Sequence, residues 1–261
     1  MKYPVRFVGA GPGDPELITV KGMRALQEAD RVVYTGSLVP ETLLGYCRQG
    51  VQLHDSASLT LAQTHALLKD GCESGERVVR LHTGDPSLYG AIHEQMDLLD
   101  KDGISYETVP GVSAAFAAAA AISQELTLPE ISQTVILTRL GGRTPVPEKE
   151  QLAMLASHQA TMVIYLSVQR MESVIGELRK HYPAGTPVVV AYRVGWPDQV
   201  FIHGELENIA DKVSLAGINR QALIMVGEVF GVRGRTGDET KRSRLYDKSF
   251  SHQFRDAEQP E

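Results

Sequence analysis

Three short runs of small residues are where this chain could do chemistry. The first, Gly9-Ala10-Gly11-Pro12-Gly13-Asp14-Pro15, follows the apolar stretch Val5–Val8. The second, Thr83-Gly84-Asp85-Pro86-Ser87-Leu88-Tyr89-Gly90, follows Arg77–His82; the third, Pro110-Gly111-Val112-Ser113-Ala114-Ala115, follows Tyr106–Val109. Glycine admits positive φ and lets backbone come close to a bound molecule. The first run invites comparison with a dinucleotide-binding turn, which opens a helix with Gly-x-Gly-x-x-Gly and has an acid about 20 residues on. Here the sixth position is Asp14, and the second strand ends in Tyr34-Thr35-Gly36 with no acid to hold a ribose. Pro12 also removes a backbone donor. A nicotinamide-dependent oxidoreductase therefore remains only a weakened alternative. In the second run Pro86 disfavours helical backbone at Asp85. Its carboxylate is left at the carboxyl end of a strand, where open α/β sheets bind ligands. The plain alternatives are a turn or cap role for Asp14 and Asp85 and an N-cap role for Ser113. Three such turns at successive strand ends form one crevice wide enough for a nucleoside.

Other chemistries lack their residues. There is no serine-nucleophile elbow, no His-Glu-x-x-His and no paired-carboxylate arrangement. His54, His82 and His93 have no metal-ligand spacing, so no metal site is expected. Cys47 and Cys72 fit neither a disulfide framework nor a zinc site, which suits a reducing, cytoplasmic setting. No catalytic residue is assigned.

The elements that must position these turns alternate. Strand patterns at 5–8, 31–34, 51–54, 77–82 and 106–109 are separated by helical patterns at Val20–Ala29, from the cap Thr60 to Cys72, and at Ala91–Asp100. Val20, Met23 and Leu26 are expected on the buried side of the first helix, and Leu61, Leu67 and Leu68 on that of the second. Ile92, Met96 and Leu99 form the stripe of the third. Such alternation gives a mostly parallel sheet with helices on both faces. A junction is expected near Ser123–Ser132, where Leu126-Thr127-Leu128-Pro129-Glu130 has no clear period. Beyond it come strands 134–138, 161–166, 187–192, 199–203 and 222–226, with helices Glu148–Ser157, Gln169–His181 and Leu206–Val213. Two strands in succession imply antiparallel pairing and a mixed sheet. The fold class is α/β in two domains, residues 1–125 and 132–231, followed by a charged tail, 232–261. In that tail Arg233–Arg244 is dense in charge, while Leu245, Tyr246, Phe250 and Phe254 could dock on a neighbouring subunit.

The 261 residues, 43% hydrophobic and 22% charged, suffice for a sizeable core. A net charge of −6 argues against a nucleic-acid binder, but a basic pocket for a small anion can sit inside an acidic protein. The N-terminus runs straight into a strand pattern, so no signal peptide is expected. No apolar run approaches the roughly 18 residues of a membrane span.

Gly9-Ala10-Gly11-Pro12-Gly13-Asp14-Pro15, Gly84-Asp85-Pro86 with Tyr89-Gly90, and Pro110-Gly111-Val112-Ser113-Ala114, in that order, resemble the tetrapyrrole methylase family. The resemblance spans about residues 5–230. It implies an S-adenosylmethionine-dependent methyltransferase (product S-adenosylhomocysteine), with the cofactor folded in a cleft between a parallel-sheet and a mixed-sheet domain. Pro12, Thr83, Gly84, Asp85, Leu88, Ser113, Ala114, Leu166, Val194 and, less firmly, Ala222 stand at the family's cofactor positions. Gly11, Gly13 and Asp14 fall to the substrate side. Further motifs narrow the resemblance to the branch that methylates C-11 of precorrin-4 or its cobalt form, on the route to cobalamin. These are Tyr34-Thr35-Gly36-Ser37-Leu38-Val39, His54-Asp55-Ser56-Ala57-Ser58-Leu59, Arg80–Ile92, Glu125–Glu130, Arg143–Glu148 and Trp196-Pro197-Asp198-Gln199. An anionic tetrapyrrole calls for arginine forks, and Arg139, Arg143 and Arg193 lie near predicted strand ends. Any cobalt arrives inside the substrate. A homodimer is implied; nucleic acid and membrane are not. A uroporphyrinogen or earlier-precorrin methylase, and a non-catalytic binder with the same cleft, remain as alternatives.

Overall fold

The computed structural model describes residues 2–142, 144–232 and 249–257. The chain divides into two compact units, 1–117 with 193–199, and 118–192 with 200–261. The first division falls inside a helix rather than in the aperiodic stretch 123–132. Arg193–Gln199, which follows a strand of the second unit, is grouped with the first.

The first unit holds β1 (Val5–Gly9), α1 (Val20–Glu28), β2 (Arg31–Tyr34), α2 (Glu41–Leu44), β3 (Gln52–Asp55) and α3 (Leu61–Glu73). It continues through β4 (Val78–His82), α4 (Ile92–Lys101), β5 (Tyr106–Val109) and the start of α5 (Ala114–Ala121). All its strand pairs are parallel, in the order β3-β2-β4-β1-β5. Period-two alternation sends Val8, Val32, Val79, Leu81 and Val109 into one core layer and Val5, Phe7, Val33 and Val78 into the other. β4 is buried along its whole length, as expected of a strand covered on both faces. This layout places the carboxyl ends of β4, β1 and β5 side by side, so the three small-residue turns share one edge.

On two helices the buried face is expected at Leu26, Leu67 and Leu68 but is completed by small residues, and Val20 and Leu61 fall outside it. α1 buries Gly22, Ala25 and Leu26 while Val20 is 59% exposed. The reason is close approach: a Cβ at Gly22 would sit 3.1 Å from Val8 Cγ1. α3 buries Thr64, Leu68, Gly71 and Cys72, leaving Leu61 exposed. Its start is set by a capping box, Thr60 with Gln63. On α4, Leu99 is buried and Ile92 and Met96 pack beside it.

The second unit has a mixed sheet, ordered β6 (Val135–Arg139), β7 (Thr161–Tyr165), β10 (Ala222–Val226), β8 (Pro187–Tyr192), β9 (Val200–Glu205). Only β6 and β7 are parallel; the other pairs are antiparallel. Its single large core gathers Met162, Ile164, Val190, Ile224 and the inner faces of α6 (Leu152–Ala156), α7 (Met171–Leu178) and α8 (Ile209–Leu215). The helix expected over 148–157 is interrupted: a 3-10 turn, Glu148–Glu150, precedes α6, and extended backbone at Gln151 (ψ 142°) separates them. The aperiodic stretch is anchored by Thr161 Oγ1, which donates to Leu126 O at 2.8 Å.

Of the tail, Arg233–Arg244, Leu245 and Tyr246 lie outside the described residues, and Phe254 is 87% exposed. No helix among the described residues is long and apolar enough to cross a membrane.

Candidate active site

The three turns are tied to one another through backbone. Ala10 N–H donates to His82 O at 2.7 Å. Gly11 and Gly84 exchange both hydrogen bonds, 3.2 Å for Gly11 N to Gly84 O and 2.7 Å for the return. Both residues have positive φ, +79° and +62°, a conformation that favours glycine. Where the turns meet there is no room for a side chain. A Cβ on Gly111 would stand 2.1 Å from Gly84 O, and one on Gly9 would stand 2.5 Å from Gly111 Cα.

Asp85 completes the knot. Its Oδ2 accepts the Gly111 N–H at 2.9 Å, while Oδ1 accepts the Ser87 N–H at 2.8 Å and the Ser87 hydroxyl. Burial pushes this carboxyl up, but those donors outweigh burial and hold it below its ordinary value. Asp85 does not cap α4, whose N-cap position is Ala91; it joins the second turn to the third. Asp14 is a cap: its Oδ1 accepts from Glu16 N at 2.9 Å, opening the 3-10 turn Pro15–Leu17. Ser113 is buried just ahead of α5, and its Oγ lies 3.4 Å from Ala115 N. Thr83, Gly84 and Leu88 are half-buried beside these groups.

The segment 193–199 packs against the first turn. Trp196 Nε1 donates to Pro12 O at 3.2 Å, and a Cβ on Gly13 would stand 2.2 Å from Trp196 Cδ1. The Arg193 guanidinium lies 4.3 Å from the indole centroid, and its Nε is 2.9 Å from Asp198 Oδ1. Val194 is buried, leaving little but backbone exposed there. Gly11, Pro12, Gly13, Asp14, Thr83, Gly84, Asp85, Leu88, Ser113, Ala114, Arg193 and Val194 thus all belong to the first unit.

In the second unit the register brings Arg139, Leu166 and Ala222 to one end of the sheet. Arg139 pairs with Tyr165 and Ala222 with Tyr192. Leu166, next after β7, has φ +52° and is 75% exposed. A bulky apolar side chain held outward on left-handed backbone is costly. The Arg139 guanidinium is committed to its own loop, donating to Thr144 O at 3.1 Å and Pro145 O at 2.9 Å. Arg143 lies outside the described residues.

Trp196 and Arg80 entered sequence reasoning only as motif residues, and the structural part each plays was missed. Among the described residues no group of three or more His, Cys, Asp or Glu side chains is placed to hold a metal ion.

A sequence model of the Tetrapyrrole (Corrin/Porphyrin) Methylases matches residues 4–210. The chain is 50% identical over 252 residues to the cobalt-precorrin-4 C(11)-methyltransferase of Methanocaldococcus jannaschii, covering 96% of this chain and 95% of that one. It is 47% identical to the precorrin-4 C(11)-methyltransferase of Pseudomonas aeruginosa, covering 97% and 99%. Its fold matches the X-ray structure of a cobalt precorrin-4 methyltransferase with a TM-score of 0.85 and 44% identity, over 87% of this chain and 95% of that one. The uroporphyrin-III C-methyl transferase of Thermus thermophilus, solved with S-adenosyl homocysteine, gives 0.73 and 30%, over 87% and 92%. Three knotted turns at the carboxyl edge of a parallel sheet, a mixed second sheet and these likenesses lead to one statement: the chain belongs to the tetrapyrrole methylases.

Proposed function

We propose that this protein transfers a methyl group from S-adenosylmethionine to C-11 of precorrin-4, or of its cobalt form, in corrin-ring synthesis. The observation that carries the reading is the Asp85–Gly111 bond, with the glycine contacts around it. It builds a rigid backbone-lined edge suited to a nucleoside and an amino-acid chain. Identity favours precorrin-4 over uroporphyrinogen: 50% to the one relative against 30% to the other structure.

The residues fit the cofactor on the structure's own terms. A Cβ at Gly84 would meet nothing within 4 Å, so this turn leaves open space beside half-buried Thr83 and Leu88. Pro12, Thr83, Gly84, Asp85, Leu88, Ser113, Ala114 and Val194 would hold the cofactor. Leu166 and Ala222 are proposed for its adenine on the family resemblance alone. When bound, the cofactor supplies a methyl group already activated on a sulfonium. The protein's task is alignment, which contributes several kcal/mol to lowering such a barrier, up to about 7–11. Asp85 accepts three hydrogen bonds from Ser87 and Gly111, which hold it ionised, so it shapes the site and has no proton to give. Asp14 is likewise engaged as a cap. Gly11 and Gly13 would present backbone to the tetrapyrrole, with Arg193 offering its guanidinium. A cytoplasmic homodimer is part of the proposal.

Mass spectrometry of precorrin-4, with and without cobalt, after incubation with the protein and S-adenosylmethionine tests the reading. One added methyl at C-11 is expected. No methyl transfer to either form, or no calorimetric binding of S-adenosylhomocysteine, overturns it.

A further inference from the structure

The first unit buries two arginines, and they are treated differently. Arg31, on β2, is 5% exposed and has two acids: Nε to Glu76 Oε2 at 2.7 Å and Nη1 to Asp70 Oδ2 at 2.8 Å. Arg80, on β4, is 6% exposed and makes no ion pair among the described residues. Its partners are all neutral: Gln95 Oε1 at 2.9 Å from Nε, and Val33 O at 3.1 Å and Ser56 Oγ at 3.0 Å from Nη1. Nη2 has none of these bonds. A cation held out of water without a counter-ion is strongly unfavourable.

Buried polar groups without partners share its face of the sheet. Arg80 pairs with Val33 and Val33 with His54, so the three stand in one row across the sheet. His82, two residues on, shares Arg80's face of β4 and is 3% exposed. His54 Nε2, His82 Nε2 and Thr35 Oγ1 are all buried without a hydrogen-bond partner. Thr35 directly follows Tyr34, which pairs with Leu81, so it stands level with His82 at the carboxyl edge. Burial, with the charge of Arg80 added, pushes His82 down to about 3. The His82 imidazole is therefore neutral, while Arg80 stays charged: burial lowers it only to about 10.

We propose that Arg80, Thr35, His54 and His82 form a subsite for a carboxylate of one of the two reactants. A single buried guanidinium with an unpartnered hydroxyl and unpartnered imidazole nitrogens on the same face matches one planar monoanion. The proposal rests on the methyltransferase reading for the source of that carboxylate, either a tetrapyrrole side chain or the amino-acid end of the cofactor. In the sequence these residues stand in three separate motifs, and only the strand register brings them together.

Titrating the full chain with uroporphyrin III, a stable polycarboxylate tetrapyrrole, and with S-adenosylhomocysteine separates the two sources. Arg80→Gln is expected to weaken uroporphyrin binding about tenfold or more while S-adenosylhomocysteine binds as before. The reverse pattern assigns the subsite to the cofactor. Unchanged affinity for both, or an equal loss for both in a folded protein, overturns the subsite. Should Arg80→Gln fail to fold, Thr35→Val leaves every bond of Arg80 in place and is expected to weaken the same ligand severalfold; no change overturns the proposal. A wild type that binds uroporphyrin through Arg80 yet fails to methylate precorrin-4 removes the function reading and leaves the subsite standing. A wild type that binds neither ligand removes both.

Discussion

At the scale of single residues, Asp85 and His82 carry opposite kinds of constraint. Asp85 is a carboxylate that accepts from three donors. Asp85→Asn turns one of those acceptors into a donor facing an N–H. It is expected to cost about 1–3 kcal/mol of stability and to weaken S-adenosylhomocysteine binding, as measured by urea unfolding and calorimetry. Retention of both would remove Asp85 from the knot. His82 is buried neutral, with its folded pKa near 3 against 6.5 in the unfolded chain. The unfolded chain therefore binds a proton that the folded one refuses. The stability this gives is whole above pH 6.5 and is lost as the pH falls from 6.5 towards 3, by up to about 1.4 kcal/mol per pH unit from this group. Unfolding midpoints across pH 4–7 should fall less steeply in His82→Asn than in the wild type; parallel curves would show that His82 is protonated in the folded state.

At the scale of elements, the turns work because their glycines touch. Gly111→Ala places a methyl 2.1 Å from Gly84 O, a backbone atom that cannot swing aside. The expected loss is about 1–3 kcal/mol together with methyl-transfer activity, and a variant that is both stable and active would show that the turns are not locked. The strands and most helices were legible because alternation and apolar runs report burial directly, as in Val78–His82. The three turns themselves were legible too, since glycine, proline and aspartate have strong local meaning there. Their mutual contacts were not: nothing in Gly9 or Gly111 alone states that each fills the space beside the other. The buried faces of α1 and α3 were read correctly at Leu26, Leu67 and Leu68 and wrongly at Val20 and Leu61, for a related reason. Close packing there rests on Gly22, Ala25 and Gly71, small residues that a search for large apolar ones passes over.

At the scale of the molecule, each unit has its own core, and ligand binding to the native state should raise the melting temperature by mass action. S-adenosylhomocysteine at about a hundred times its Kd adds about 2.7 kcal/mol, a shift of several degrees for a chain of this length. NAD at the same concentration should leave the midpoint where it was; a shift with NAD alone would reverse the choice of cofactor. The chain also contains a single tryptophan, Trp196, and its indole N–H is bonded to the first turn at Pro12. All of the protein's indole fluorescence therefore comes from one ring, wedged against the glycine loop with a guanidinium on its face. Emission wavelength and intensity become an unlabelled optical gauge of that loop, readable in stopped flow on a ligand that has yet to react.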